Sequence, residues 1–169
     1  MTLSAGNVTR MVASYSYDDI GRLVSLKRSG NVGVVNYAYN IRNWLKEKKS
    51  DRFSQNLWYE TTGAYPCFNG NISRLQWQSG KDHVLRGYGF AYDGLNRLEE
   101  STYAEGEDMN QNKNRYSENV LSYSANGSIE RLQRYGKKNN GAFGLIDDLT
   151  YSYNGNQQGA HKHPGRALG

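Results

Sequence analysis

Two residue types that staple or stiffen small proteins are nearly missing. The 169-residue chain holds one cysteine, Cys67, and two prolines, Pro66 and Pro164. A single cysteine forms no internal disulfide and no cysteine-based zinc site. No stretch approaches the roughly 20 apolar residues that a membrane-crossing helix needs. Residues 1–10 lack the basic-then-apolar order of a secretory signal. Hydrophobic residues are also scarce, at 37%, so a core of aliphatic side chains alone is excluded. What is plentiful is tyrosine: 14 Tyr stand beside 4 Phe, 3 Trp and 19 Gly. Each ring buries much area and carries a polar tip when it is a tyrosine. Disordered segments lack such rings. A chain rich in Tyr, Gly and Asn predicts many short strands and tight turns rather than helices.

The tyrosines recur in register. Tyr15-Ser16-Tyr17-Asp18-Asp19-Ile20-Gly21-Arg22-Leu23 is followed by Tyr37-Ala38-Tyr39-Asn40-Ile41-Arg42-Asn43-Trp44-Leu45 and by Phe90-Ala91-Tyr92-Asp93-Gly94-Leu95-Asn96-Arg97-Leu98. A weaker copy runs from Leu121 to Ile129. Two shortened copies run from Phe68 to Ile72 and from Tyr151 to Asn156. Two rings two residues apart share one face of a strand. The next residue is Asp18, Asn40, Asp93 or Ser124, each with a short side-chain oxygen that can cap a turn. Three residues later stands Gly21, Asn43, Asn96 or Gly127, the residue types that tolerate positive φ. The pattern predicts a hairpin closed on a type I turn that ends in a left-handed residue. In the short copies Asn69 with Gly70, and Asn154 with Gly155, predict two-residue turns with positive φ at both positions.

Period-two alternation at Leu121-Ser122-Tyr123 and across residues 149–153 adds half-buried strands. The expected fold is all-β: ten to twelve short strands in serial hairpins, forming a curled antiparallel sheet or a partial barrel. One face is lined by tyrosines and the other is polar. Residues 1–156 form the sheet domain in this reading. The tail 157–169 has no period and predicts no strand; it reads as a loosely ordered, frameshift-derived end. Unpaired strands at residues 12–17 and 149–153 favour strand addition between chains, which implies a homo-oligomer.

The motif at residues 15–23 resembles the YD repeat of Rhs (rearrangement hotspot) proteins. Residues 145–156 are similar to Rhs segments of Bacteroides-type bacteria, and the resemblance covers residues 11–156. It implies a continuous spiralling sheet, as in toxin-encapsulating shells or surface adhesins. It also implies a secreted or cell-surface, non-catalytic structural role whose partners are other YD-repeat segments or the chain itself. Some YD arrays are linked with carbohydrate binding. The chain departs from the family in having about six copies and in lacking the proline-containing segment that supplies self-cleavage in relatives. It therefore reads as a fragment of an array, and no autoproteolysis is carried over.

Tyr17, Tyr39, Tyr92 and Tyr153 occupy equivalent positions and are assigned to packing. Trp58, Trp77 and Tyr88 fall outside that position and are the candidates for stacking on a glycan. His161 and His163 are too few for a metal site. No metal and no cofactor is expected. Glu99, Glu100, Asp147 and Asp148 are the only carboxylate pairs to consider for hydrolysis. The first pair is expected on opposite strand faces and the second in a turn. Cys67 has no identifiable base, so packing is its expected role. A net charge of +5, with Lys46, Lys48, Lys49, Lys137 and Lys138 in predicted connections, keeps nucleic-acid binding as a remote alternative. Residues 104–119 are expected to form a long solvated loop. Residues 50–67 are expected to pack as an irregular strand, and residues 136–144 to form a turn-rich connection.

Overall fold

A computed structural model of the chain describes the backbone of residues 2–5, 8–29, 33–60, 67–154 and 157–162, and within these the side chains of 12–29, 33–60 and 67–153. The described residues form no helix; they form fourteen strands. In chain order these are β1 (Thr2–Ala5), β2 (Val8–Met11), β3 (Ala13–Tyr17), β4 (Leu23–Arg28), β5 (Val34–Tyr39), β6 (Leu45–Ser50), β7 (Phe53–Trp58), β8 (Arg74–Ser79), β9 (Leu85–Tyr92), β10 (Leu98–Glu105), β11 (Glu118–Tyr123), β12 (Ile129–Lys137), β13 (Phe143–Asn154) and β14 (Gln157–Lys162). They belong to two compact units, residues 1–58 with 75–85, and residues 59–74 with 86–169. In each unit the main strands pair antiparallel with their neighbours in sequence. β3 to β7 follow one another in the first unit and β9 to β14 in the second. β1 and β2 form a separate ribbon. β3 has β4 as its one partner and β14 has β13 as its one partner, so the ladder is open.

The all-β expectation holds, and the faces divide as the alternation requires. Residues paired across antiparallel strands share a face. In the first unit Tyr15 pairs with Leu26, Leu26 with Val35, Tyr37 with Lys48, Lys48 with Gln55, and Ser50 with Phe53. The opposite face carries Ser16 with Ser25, Ser25 with Asn36, Asn36 with Lys49, and Lys49 with Ser54. Ala13, Leu26 and Leu57 are buried on the ring-bearing side. Tyr15 and Tyr17 are only partly covered, so this face is thinly packed.

The second unit has the better core. Tyr88 stacks on Phe90 at 6.1 Å and meets Tyr103 edge-on at 5.5 Å. Tyr103, 2% exposed, meets Tyr116, which in turn meets Phe143. Residues 106–117 lie against this cluster. They are laced down by Tyr103 N–H to Ser117 Oγ, Asn114 N–H to the Tyr103 carbonyl, and Asn112 Nδ2 to Glu105. The expected loop is solvated over most of its length, and these bonds also make it a strap. Its composition is polar because it donates and accepts these bonds.

Several expectations on the connections need correction. Phe53–Trp58 is a regular strand on β6, not an irregular one. Lys46, Lys48 and Lys49 lie in β6 rather than in a connection, and Lys48 Nζ rests over the Phe53 ring at 6.0 Å. Asp147 and Asp148 lie inside β13, not in a turn. Their carboxylates pair across the ladder with Arg134 and Arg131, each at 2.8 Å. Gln157–Lys162 forms β14 on β13, against the expectation of a tail without strand, so the C-terminal edge is β14 and not residues 149–153. Backbone pairing, which needs no apolar period, makes this strand. Residues 61–66, with Tyr65, and residues 155, 156 and 163–169, with Gly155 and His163, lie outside the described residues.

Candidate functional site

The turns come first, because everything else is hung on them. Asp18 N–H donates to the Arg22 carbonyl and Gly21 N–H to the Asp18 carbonyl, while Asp18 Oδ1 accepts from the amides of Ile20 and Arg22. Asn40 and Asp93 repeat every one of these bonds in their own hairpins. Ser124 repeats the two backbone bonds and caps Ser128 through its hydroxyl. Gly21, Asn43, Asn96 and Gly127 have φ of 84°, 64°, 63° and 85°, as the residue types demand. Lys138 N–H to the Ala142 carbonyl, with Gly141 at φ 83°, is a fifth turn of this kind. Sequence reading left it as a generic connection because lysine replaces the capping residue. The short copy differs from expectation. Only Gly70 has positive φ, 98°, and Asn69 Oδ1 caps the Asn71 amide instead. The turn is an Asx turn and not a two-residue hairpin loop.

The aromatic that precedes each turn also acts as a joint between hairpins. Tyr39 donates its hydroxyl to the Leu23 carbonyl at 2.9 Å. Tyr92 donates to Ile72 at 2.9 Å, Tyr123 to Leu98, and Tyr153 to Ile129 at 2.6 Å. Leu23, Leu98 and Ile129 open the return strands β4, β10 and β12, and Ile72 lies two residues before β8. The tyrosine of one repeat is thus latched to the preceding repeat.

The arginine of the motif completes the joint. Arg22 Nε donates to Asp18 Oδ2 at 2.7 Å within its own turn. Its guanidinium lies over the Tyr39 ring at 4.9 Å, and Nη1 donates to Asn43 Oδ1 at 2.7 Å in the next turn. Arg97 repeats the arrangement, with Nε on Asp93 Oδ2 at 2.6 Å and its guanidinium 4.4 Å from the Tyr123 ring. Asp18 and Asp93 are held below the usual carboxylate range, first by the backbone amides of Arg22 and Arg97 and then by their guanidinium groups. Sequence reading found the turns but missed the latch. The signal was present, since the hydroxyl-bearing ring and the Arg-Leu pair recur together.

A shallow pocket of about 480 Å³ opens in the second unit, lined by Cys67, Phe68, Asn69, Asn71, Tyr92, Asp93 and Asn96. Asn69 Nδ2 donates to Asn96 Oδ1 at 2.5 Å across it. Burial pushes the Cys67 thiol up, so the group stays neutral. None of the three expected ligand residues lines this pocket. Trp58 ends β7 and Trp77 sits within β8, both half-buried. Tyr88 is engaged in the aromatic cluster, and its hydroxyl donates to the Tyr116 carbonyl at 3.1 Å. Its phenol is pushed up, first by burial and then by Glu118. Glu99 and Glu100 are exposed beside a bulge in β10, with Thr102 donating to Glu100. His83 is exposed in a turn at φ 54°. Among the described residues no three His, Cys, Asp or Glu side chains gather as metal ligands would. No protein-family model matches the chain, and no curated protein is similar to it.

Proposed function

We propose that the chain is a non-catalytic structural and interaction module, a run of YD-type hairpins of the Rhs kind. Its work is to carry an antiparallel sheet forward and to join it to further repeats. The observation that supports this most directly is the tyrosine-to-carbonyl latch, made by Tyr39, Tyr92, Tyr123 and Tyr153 of the repeat motif itself; the copy with Phe68 in place of the tyrosine lacks the hydroxyl for it. The motif's chemistry is spent on holding one hairpin to the next, and its carboxylates are engaged by backbone amides and arginines. The partner that such a surface fits is another strand edge of the same kind, from a second copy or from another repeat segment. The resemblance of residues 15–23 to YD repeats points to a secreted or surface-displayed setting.

One edge strand is β3, where Ser14 and Ser16 face solvent. Light scattering across a concentration series tests the reading. The wild-type chain is expected to exceed the monomer mass as concentration rises. A Ser14→Lys, Ser16→Lys double variant is expected to stay monomeric, since edge lysines discourage strand addition. Monomer at every concentration in the wild type would count against the proposal.

A further inference from the structure

The pocket has an internal reference, because the joints on either side of the motif are built from equivalent residues. Tyr92 latches to Ile72 as Tyr39 latches to Leu23. Asn69 Oδ1 caps the amide two residues on, as Asp18 Oδ1 caps that of Ile20, and Asn71 immediately precedes the latch acceptor Ile72 as Arg22 precedes Leu23. The residue standing where Arg22 stands is therefore Asn71, whose side chain is too short to cover the Tyr92 ring. Phe68 corresponds to Tyr17, Asn96 to Asn43 and Asp93 to Asn40. The pocket lining is the lining of the Arg22 joint with the guanidinium taken away.

Two of the three groups that receive the guanidinium in the filled joint remain in the open one; the third, Asp18 Oδ2 at 2.7 Å from Arg22 Nε, is replaced by Asn69. Asn43 Oδ1 accepts from Arg22 at 2.7 Å, and the Asn40 carbonyl lies 3.5 Å from the same nitrogen. Their counterparts are Asn96 Oδ1, which uses one lone pair on Asn69 and has a second free, and the Asp93 carbonyl. The Tyr92 ring supplies the face on which a planar cation stacks. Asp93 borders the open joint, with its Oδ2 already accepting from Arg97 Nε at 2.6 Å. Asn71 Nδ2 is buried without a partner.

We propose that this slot binds a guanidinium group, seated on the Tyr92 ring and donating to Asn96 Oδ1 and the Asp93 carbonyl. An ammonium ion fits it less well, because the fork of donors is lost. The same chemistry can arrive on a small molecule or on an arginine side chain of another polypeptide. Affinity is expected to be weak, in the millimolar range, since one exposed cation–π contact and two hydrogen bonds supply it.

The test is an NMR titration of the full chain with methylguanidinium chloride, read on the side-chain amides of Asn69, Asn71 and Asn96. Methylammonium chloride and sodium chloride are the controls. Saturable shifts with methylguanidinium, at least tenfold weaker with methylammonium and absent with sodium chloride, support the site. Asn71→Arg is expected to abolish the response by filling the slot with its own guanidinium. Asn96→Gly keeps the turn, since Gly21 and Gly127 occupy the equivalent position, and is expected to weaken binding at least tenfold. Linear, unsaturated shifts in the wild type, or undiminished saturation in Asn71→Arg, would overturn the proposal. A blocked Gly-Arg-Gly peptide run alongside separates the two sources. Saturation at lower concentration than methylguanidinium assigns the slot to a polypeptide arginine, and equal or weaker saturation assigns it to a free small cation.

Discussion

The hydroxyl of a motif tyrosine distinguishes its role from that of a mere apolar ring. Tyr39→Phe keeps the ring beneath Arg22 and removes only the donor to the Leu23 carbonyl. A hydrogen bond of this kind contributes about 0.5–1.5 kcal/mol net, so a loss of that size is expected for Tyr39→Phe and for Tyr153→Phe in urea titration. Tyr17 makes no latch among the described residues and is 60% exposed. Tyr17→Phe is expected to leave the midpoint unchanged. Equal losses at all three positions would show that the hydroxyls act through something other than the joint. The capping residues and the positive-φ positions were legible in the sequence because each is a local backbone requirement that few residue types satisfy. The latch was not, because its donor and acceptor lie sixteen or more residues apart, and no local rule reports on that distance.

A hairpin here depends on its charged turn, and that gives the element a pH response. Asp18 and Asp93 are ionised more readily in the folded chain than in the unfolded one, through the amides and arginines they accept from. Asp148 is lowered furthest, to about 2 from 3.8, by hydrogen bonds from Arg131 and Gln133. A depressed carboxylate contributes stability that is complete above its unfolded pKa and is lost as pH falls through the folded value. The melting temperature is thus expected to hold level above pH ~5 and to fall as pH drops from about 4 toward 2. Asp93→Asn retains the Oδ1 cap, as Asn40 does naturally, and removes the charge. It is expected to melt lower at neutral pH and to lose less on acidification. A wild-type-like acid slope in Asp93→Asn and Asp148→Asn together would mean that these carboxylates do not report on folding. The elements themselves were legible to different degrees. Hairpins carrying the full motif stood out, whereas β14 and the strap over Tyr103 did not. The first rests on backbone pairing without an apolar period. The second consists of polar residues whose partners, Glu105 and Tyr103, lie in a strand already assigned.

At the scale of the molecule, the small number of deeply buried side chains means that stability is distributed along the ladder and not concentrated at one centre. Amide exchange in each unit is expected to be slowest on interior strands and fastest at the strand with a single partner, β3 in one unit and β14 in the other. The slowest amides of all should cluster around Tyr103 and Ala104, both 2% exposed. Uniform protection across the ladder would contradict this picture. The joints have a genetic corollary. The copies at residues 15–23 and 90–98 each bring an arginine and a carbonyl for the tyrosine of the next latched copy, so these two meet a successor on the same terms. Exchange of one of these copies for the other leaves matched surfaces on both sides of the scar. Recombination between such copies needs no compensating substitution, whereas the loss of a few residues inside one leaves a phenol or a guanidinium stranded.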